Sequence, residues 1–396
     1  MNNKILASIF MIIGTSVGAG MLALPIATAT QNLWLTISML ALCWLMMGSG
    51  ALAILEVNLS LPDGSNMITM ADASLGKTGK WVSWIVYLGL LYCLLCAYIA
   101  GTSDIFSGLL SSVHINLSRS INTIIATAIL ATIVYQGIHS VAKANRWLMI
   151  AKLLSYGILI IILCQHITAK HFAAGNFKPH LNTLMVMITA YGFAIIVPSL
   201  RTYLNANRKL LIKVLLIGSL MPFILYLIWV IVIQGVVSRY GDTGLLNMAA
   251  NSSSTNSLLI QSLVNISQNN YSATLIKTFI AICALTSFLG VALSLTDCLA
   301  DSLRLKKTGK QGFLVSALTF FPPLLIVLIK PGIFLLGLSH AGLFCVWLLI
   351  ALPMIMVYRC RQTQLHGNRP LLPGGTFWLL VCLFFSIAVT VGYFIT

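Results

Sequence analysis

Apolar residues along this chain run in long, nearly unbroken blocks separated by short polar stretches. A helix needs about 20 residues to cross the ~30 Å hydrocarbon core of a bilayer. Counting blocks of that order predicts eleven spans: 4–29, 33–59, 81–111, 120–138, 147–168, 181–203, 211–238, 272–303, 312–329, 332–358 and 376–395. The first block has Lys4 ahead of it and Ala27-Thr28-Ala29 within it, as a cleaved leader would. A glycine-rich insertion interrupts it and ten more spans follow, so it is read as a retained span. The one long connection, 239–271, is rich in Asn and Ser; a lid over an outer vestibule is conceivable, and a loosely ordered connector is expected.

Composition agrees with that pattern and closes off other classes. Hydrophobic residues make up 59% of the 396 and charged residues only 8%, against roughly 25% charged in a soluble domain. Soluble enzymes, nucleic-acid binders and secreted disulfide scaffolds are therefore excluded. The net charge of +16 is a matter of placement. With the N-terminus inside, 17 of the 23 Lys and Arg fall on cytoplasmic loops, Lys143, Arg146 and Arg369 among them, and only Arg119, Lys170, Lys178, Arg239, Lys277 and Lys330 outside. The charge is a topology signal, and an odd span count then puts the C-terminus outside. The nine cysteines sit nearly all in apolar runs; Cys93-x-x-Cys96 has no second pair and reads as packing. No metal, nucleotide or prosthetic cofactor is expected.

Two spans are broken. Gly14-Thr15-Ser16-Val17-Gly18-Ala19-Gly20, followed by Pro25, weakens the helix in the middle of the first span. In the sixth, Tyr191-Gly192-Phe193-Ala194 leads to Pro198. Unwound backbone at bilayer depth survives only where protein or a watery cavity satisfies it. Breaks in the first helix of each five-helix half point to an inverted-repeat transporter with its substrate at the midplane. The positive start of a second half-helix welcomes a carboxylate, and the free carbonyls of a first half welcome an ammonium. A zwitterionic amino acid suits both.

Those residues also carry a family resemblance. Gly14 to Gly20 with Met21-Leu22-Ala23-Leu24-Pro25 is similar to the first-helix motif of the hydroxy and aromatic amino acid permeases. Thr286-Ser287-Phe288-Leu289-Gly290 with Asp297 and Ala300-Asp301 resembles that family's eighth helix, and Glu56-Val57, Asn145-Arg146, Ala151-Lys152 and Val197-Pro198-Ser199 also match. The resemblance, strongest to the tyrosine-type branch, runs over essentially the whole chain. It implies an all-α, leucine-transporter-like 5+5 inverted repeat over residues 4–168 and 181–358, forming a core of 1–358. Residues 359–396 would add a cytoplasmic loop and an eleventh helix. It implies proton-driven uptake of an aromatic amino acid, with the substrate, a proton and the lipid bilayer as partners. One departure is local: after Gly192-Phe193 the tyrosine-type pattern has His-Gly-Ser, whereas this chain has Ala194-Ile195-Ile196.

Intramembrane ionisable residues are functional candidates by default. Lys152 lies ~9 Å into the fifth span counted from Arg146 at 1.5 Å per residue, deep enough to act or shallow enough to snorkel. The resemblance places it where sodium-coupled relatives of the fold hold sodium, beside Thr286 and Ser287. Asp297, one turn before Asp301, is a second proton carrier or a structural acid; Glu56 lies at comparable depth. Asp104 reads as reaching the outer interface. Tyr98, Phe193 and Phe288 are the candidates for an apolar pocket facing the breaks, with Tyr191 and Gly192 beside them. His340 is either a partner for a phenolic hydroxyl or a satisfied core histidine. Gly48-Ser49-Gly50 and Gly337-Leu338-Ser339-His340 do not supply an intramembrane serine protease, Asp297 lacks the glycines of an aspartyl one, and no pore-lining repeat suggests a channel. A serine or threonine permease is the alternative within transporters.

Overall fold

The computed structural model describes residues 2–395 apart from 113, 116, 137, 173–174, 252–253, 268 and 364–369, and leaves out the side chains of 2, 3, 112 and 138–146. Arg369 and the side chains of Lys143, Asn145 and Arg146 thus lie outside the described part. Among the described residues the chain is helical, with one isolated bridge between Gln31 and Asn176.

The helices follow the apolar blocks. They are α1 (Asn2–Ser16), α2 (Ala19–Ala27), α3 (Leu33–Leu59), α4 (Met67–Ser112), α5 (Arg119–Tyr135), α6 (Ile138–Cys164), α7 (Leu181–Ala190) and α8 (Val197–Tyr203). Then come α9 (Arg208–Val236), α10 (Leu245–Ala250), α11 (Thr255–Ser267), α12 (Asn270–Leu303), α13 (Gly309–Ile329), α14 (Phe334–Cys345), α15 (Leu352–Gln362) and α16 (Gly375–Ile395). Polar residues at the breaks start and stop them. Asn32, Asn207 and Asn269 accept from the backbone N–H groups of Trp34, Leu210 and Tyr271 at 2.9, 3.1 and 2.9 Å, satisfying otherwise orphaned donors. Arg304 ends α12 in the left-handed region at φ 54°.

Among the described residues nine helices are long and apolar enough to cross a bilayer, and α1 with α2, bent by 52°, makes a tenth. The 17-residue α5 is apolar but shorter, about 26 Å at 1.5 Å per residue. The third block begins earlier than its hydropathy suggests. Gly76, at φ 71°, separates a short helical segment from the span proper inside α4, a backbone turn that favours glycine. The tenth span runs through a π-helical stretch, Val346–Ala351, between α14 and α15, a widening that periodicity cannot reveal.

The core lies around α2, whose residues from Ala19 to Ile26 are all buried. It packs on α7, α9 and α12, while α1 packs on α9 and α14 on both α4 and α7. α16 stands at the edge with Phe377, Phe384 and Phe394 exposed, apolar surface suited to lipid.

The 239–271 connection departs from expectation. It holds α10 and α11, with Leu245, Met248, Leu259 and Leu263 fully buried. Asp104 explains the order. Its carboxylate accepts from the Asn256 and Ser257 backbone N–H groups at 2.8 and 3.0 Å and from the Ser257 hydroxyl at 2.6 Å. An acid on α4 thus caps the N-terminus of α11 across space.

Candidate functional site

The two breaks have different local causes. In the first, α1 stops at Ser16 and α2 starts at Ala19, with Gly18 extended between them (φ −166°, ψ −148°). Any residue adopts that conformation, so the glycine is needed for space. A Cβ on Gly18 would land on Ser287 Oγ, and one on Gly20 would sit 3.3 Å from the Ala190 Cα. The room left by Gly18 lets Ser287 Oγ accept the Ala19 N–H at 2.8 Å. Thr15 turns back on its own helix, donating to the Ile12 carbonyl at 2.9 Å.

The second break is a tightening rather than an opening. α7 ends at Ala190, and Gly192–Ile196 continue as a 3₁₀ helix into α8. Pro198 falls in the first turn of α8, where its missing N–H costs nothing, so it opposes no preceding turn. Phe193 and Ala194 are fully buried and Gly192 is half-buried.

Lys152 comes to the first break. It is 1% exposed, and its Nζ donates to the Val17 carbonyl and, at 3.3 Å, to Thr286 Oγ1. One side chain thereby joins α6, α12 and the α1–α2 junction. Among the described residues no acid pairs with it. The carbonyl is that of Val17, the first residue past the end of α1, three positions beyond Gly14.

The remaining candidates divide. Tyr191 is fully buried at the end of α7, its hydroxyl without a hydrogen-bond partner among the described residues. Tyr98 is buried and reaches Ser287. Phe288 lies against α13, stacked on Phe320 with ring centroids 6.0 Å apart. Asp297 pairs with Lys307 at 2.7 Å, half-exposed, and lines a cavity of about 320 Å³ with Tyr87, Pro198 and Asp301. Glu56 goes elsewhere altogether. Its carboxylate takes Arg361 Nε at 2.7 Å and NH2 at 3.0 Å, then the Leu371 and Leu372 N–H groups at 2.8 and 3.2 Å. These contacts tie α3 to α15 and the approach to α16. His340 bonds a phenolic hydroxyl of the chain itself, Tyr393, at 3.3 Å.

The sequence reading missed Tyr226. It is fully buried on α9, its hydroxyl 2.6 Å from the Ser16 carbonyl and 2.7 Å from the Ala190 carbonyl, with its ring 5.0 Å from that of Tyr191. A tyrosine in an apolar span carries no mark of this in sequence.

Residues 1–392 match the tryptophan/tyrosine permease family. The chain belongs to that family. It is an integral membrane protein and a transporter, not an enzyme. It is 29% identical to a tyrosine-specific transport system 1 of Haemophilus influenzae, across 98% of this chain and 96% of that protein. A tryptophan-specific transport protein of Pseudomonas aeruginosa is also 29% identical, over 98% and 94%. A glutamine transporter 2 of Aliivibrio fischeri is 28% identical, over 99% and 100%. The names of these relatives thus cover more than one side-chain class.

Proposed function

We propose that this protein is a proton-coupled symporter that brings an aromatic amino acid, tyrosine first among them, into a bacterial cell across its cytoplasmic membrane. The observation that carries the coupling is the buried Lys152 ammonium bonded to Val17 and Thr286. Protonated, it bridges α6, α12 and the first break. Neutral, it loses the charge-assisted bonds and frees α1 to move. The architecture proposed is the 5+5 repeat over 4–168 and 181–358 with α16 as an eleventh span, the N-terminus cytoplasmic and the C-terminus external.

The substrate would lie between the breaks. Its carboxylate would face the start of α2 around Gly18, Ala19 and Gly20. Its ammonium would face the carbonyl ends of α1 (Gly14, Thr15, Ser16) and α7. Tyr98, Tyr191, Gly192, Phe193 and Ala194 would wall the side chain, with Phe288 behind. Thr286 and Ser287 would hold the lysine and α2 in register. Asp297 stands in reserve as a proton carrier on the cytoplasmic side. Glu56 supports the frame through Arg361.

Proteoliposomes with labelled tyrosine and an imposed pH gradient, outside acid, test this. Accumulation above the outside concentration that vanishes when the gradient is collapsed is the expected result. Uptake driven by sodium, or by substrate alone with no response to pH, would refute the coupling. Displacement of tyrosine by serine or glutamine at equal concentration would move the substrate class.

A further inference from the structure

Tyr226 does more than fill space between α1, α7 and α9. Its hydroxyl meets the Ser16 and Ala190 carbonyl oxygens at 2.6 and 2.7 Å. These are the terminal carbonyls of the two first half-helices. Helix C-termini leave carbonyls without intrahelical partners, at the negative end of the dipole. A hydroxyl has one hydrogen to give. Three oxygens therefore converge on this point with a single proton among them, and one of the two short contacts is left without a hydrogen. The Tyr191 hydroxyl, just past the end of α7, is buried and has no hydrogen-bond partner among the described residues either. The group this arrangement lacks is a compact donor of several hydrogens, which is what a primary ammonium is.

We propose that the Tyr226 hydroxyl stands in for the substrate's ammonium in the empty carrier, closing the Ser16 and Ala190 carbonyls until an amino acid takes them. This rests on the reading that an α-amino acid binds between the two breaks. The consequence is kinetic. Net uptake requires the carrier to reorient empty after each delivery, whereas exchange of one amino acid for another does not. Two uncovered carbonyls at bilayer depth would penalise the closed empty state. Tyr226 removes that penalty, so it acts as a positioning residue for the return step and leaves the loaded step unaffected.

The test is Tyr226→Phe, which deletes the oxygen and keeps the ring, assayed in proteoliposomes with labelled tyrosine in two modes. Net uptake driven by the pH gradient should slow at least about tenfold, and exchange at equal substrate on both sides should stay within about twofold of the unmodified protein. The final accumulation ratio should be unchanged, which separates this residue from Lys152. Because exchange itself needs a folded carrier, it doubles as the control for assembly. Should the Phe variant not assemble, Tyr226→Leu is expected to show the same imbalance. Net uptake and exchange falling together in a folded variant would overturn the proposal, as would both remaining unchanged. Absence of aromatic amino acid exchange by the unmodified protein would overturn the substrate reading, and this inference with it.

Discussion

Replacing Lys152 by methionine keeps most of the volume of the side chain and removes its charge. In the structure the ammonium has two partners, the Val17 carbonyl and Thr286 Oγ1, and no acid pairs with it among the described residues. On the proposed coupling, one titrating amine with no coupled carboxylate among the described residues would carry one proton per cycle. One pH unit is worth about 1.36 kcal/mol per proton, a factor of about ten. With the outside two units more acid and no membrane potential, the unmodified protein should concentrate substrate up to about 100-fold inside. Two protons per cycle would allow about 10⁴-fold by the same constant. The Lys152→Met protein should equilibrate and go no further, while exchange continues. The Thr286 hydroxyl keeps its own bond to the Cys283 carbonyl at 3.1 Å, so the hydroxyl is not orphaned. The lost bond to Val17 is a charge-assisted one, worth about 1.5–3 kcal/mol, enough to weaken the first break without unfolding the bundle. The assay is the steady-state ratio of labelled tyrosine across proteoliposomes at several imposed gradients. A Lys152→Met protein that still concentrates substrate tenfold per pH unit refutes the reasoning, and Asp297 then becomes the carrier to test.

Gly20→Val should weaken substrate binding about 10–100-fold in a protein that still reaches the membrane. Its side chain has only 3.3 Å to the Ala190 Cα, and such overpacking costs about 1–3 kcal/mol; unchanged affinity would remove the α2 start from the site. In competition assays phenylalanine and tyrosine should fall within about tenfold of each other. Apolar Ala194 stands where a polar wall would punish a missing hydroxyl, and a preference for tyrosine of 10⁴ or more would refute this. Arg361→Met should remove the ion pair between Arg361 and the buried Glu56 carboxylate, read as a lower unfolding temperature in detergent. Glu56→Gln should leave the accumulation ratio per pH unit unchanged, and a changed ratio would return Glu56 to the proton path. Asp104→Leu should raise hydrogen exchange at the Asn256 and Ser257 amides, since it deletes the acceptor of both.

The spans were legible because burial in a bilayer imposes one crude rule, and the apolar blocks obey it at nearly every helix. What the blocks could not show were departures caused by single contacts. The short helical segment before Gly76, the π-helical stretch over Val346–Ala351 and the order of the 239–271 connection are of this kind. The last depends on Asp104, 152 residues before its partner Asn256, and nothing local to the Asn- and Ser-rich segment announces that its helix is capped from another span.

At the site the same division holds for a physical reason. Backbone breaks are written in residue type, since glycine and proline act on the chain that contains them, and both breaks fall where Gly18 and Gly192 stand. Lys152 was legible because a charge in an apolar block is conspicuous, whatever it touches. Side chains whose chemistry is ordinary and whose placement is not were hidden. Glu56 looked like Asp297, yet Arg361 and two backbone N–H groups bond one and a half-exposed lysine pairs with the other. Tyr226 looked like any of the chain's 12 tyrosines. Its distinction is the meeting of two helix ends from distant parts of the chain, separated from it by 210 and 36 residues. The residue that bridges those ends is set by tertiary geometry, and only the folded chain displays it.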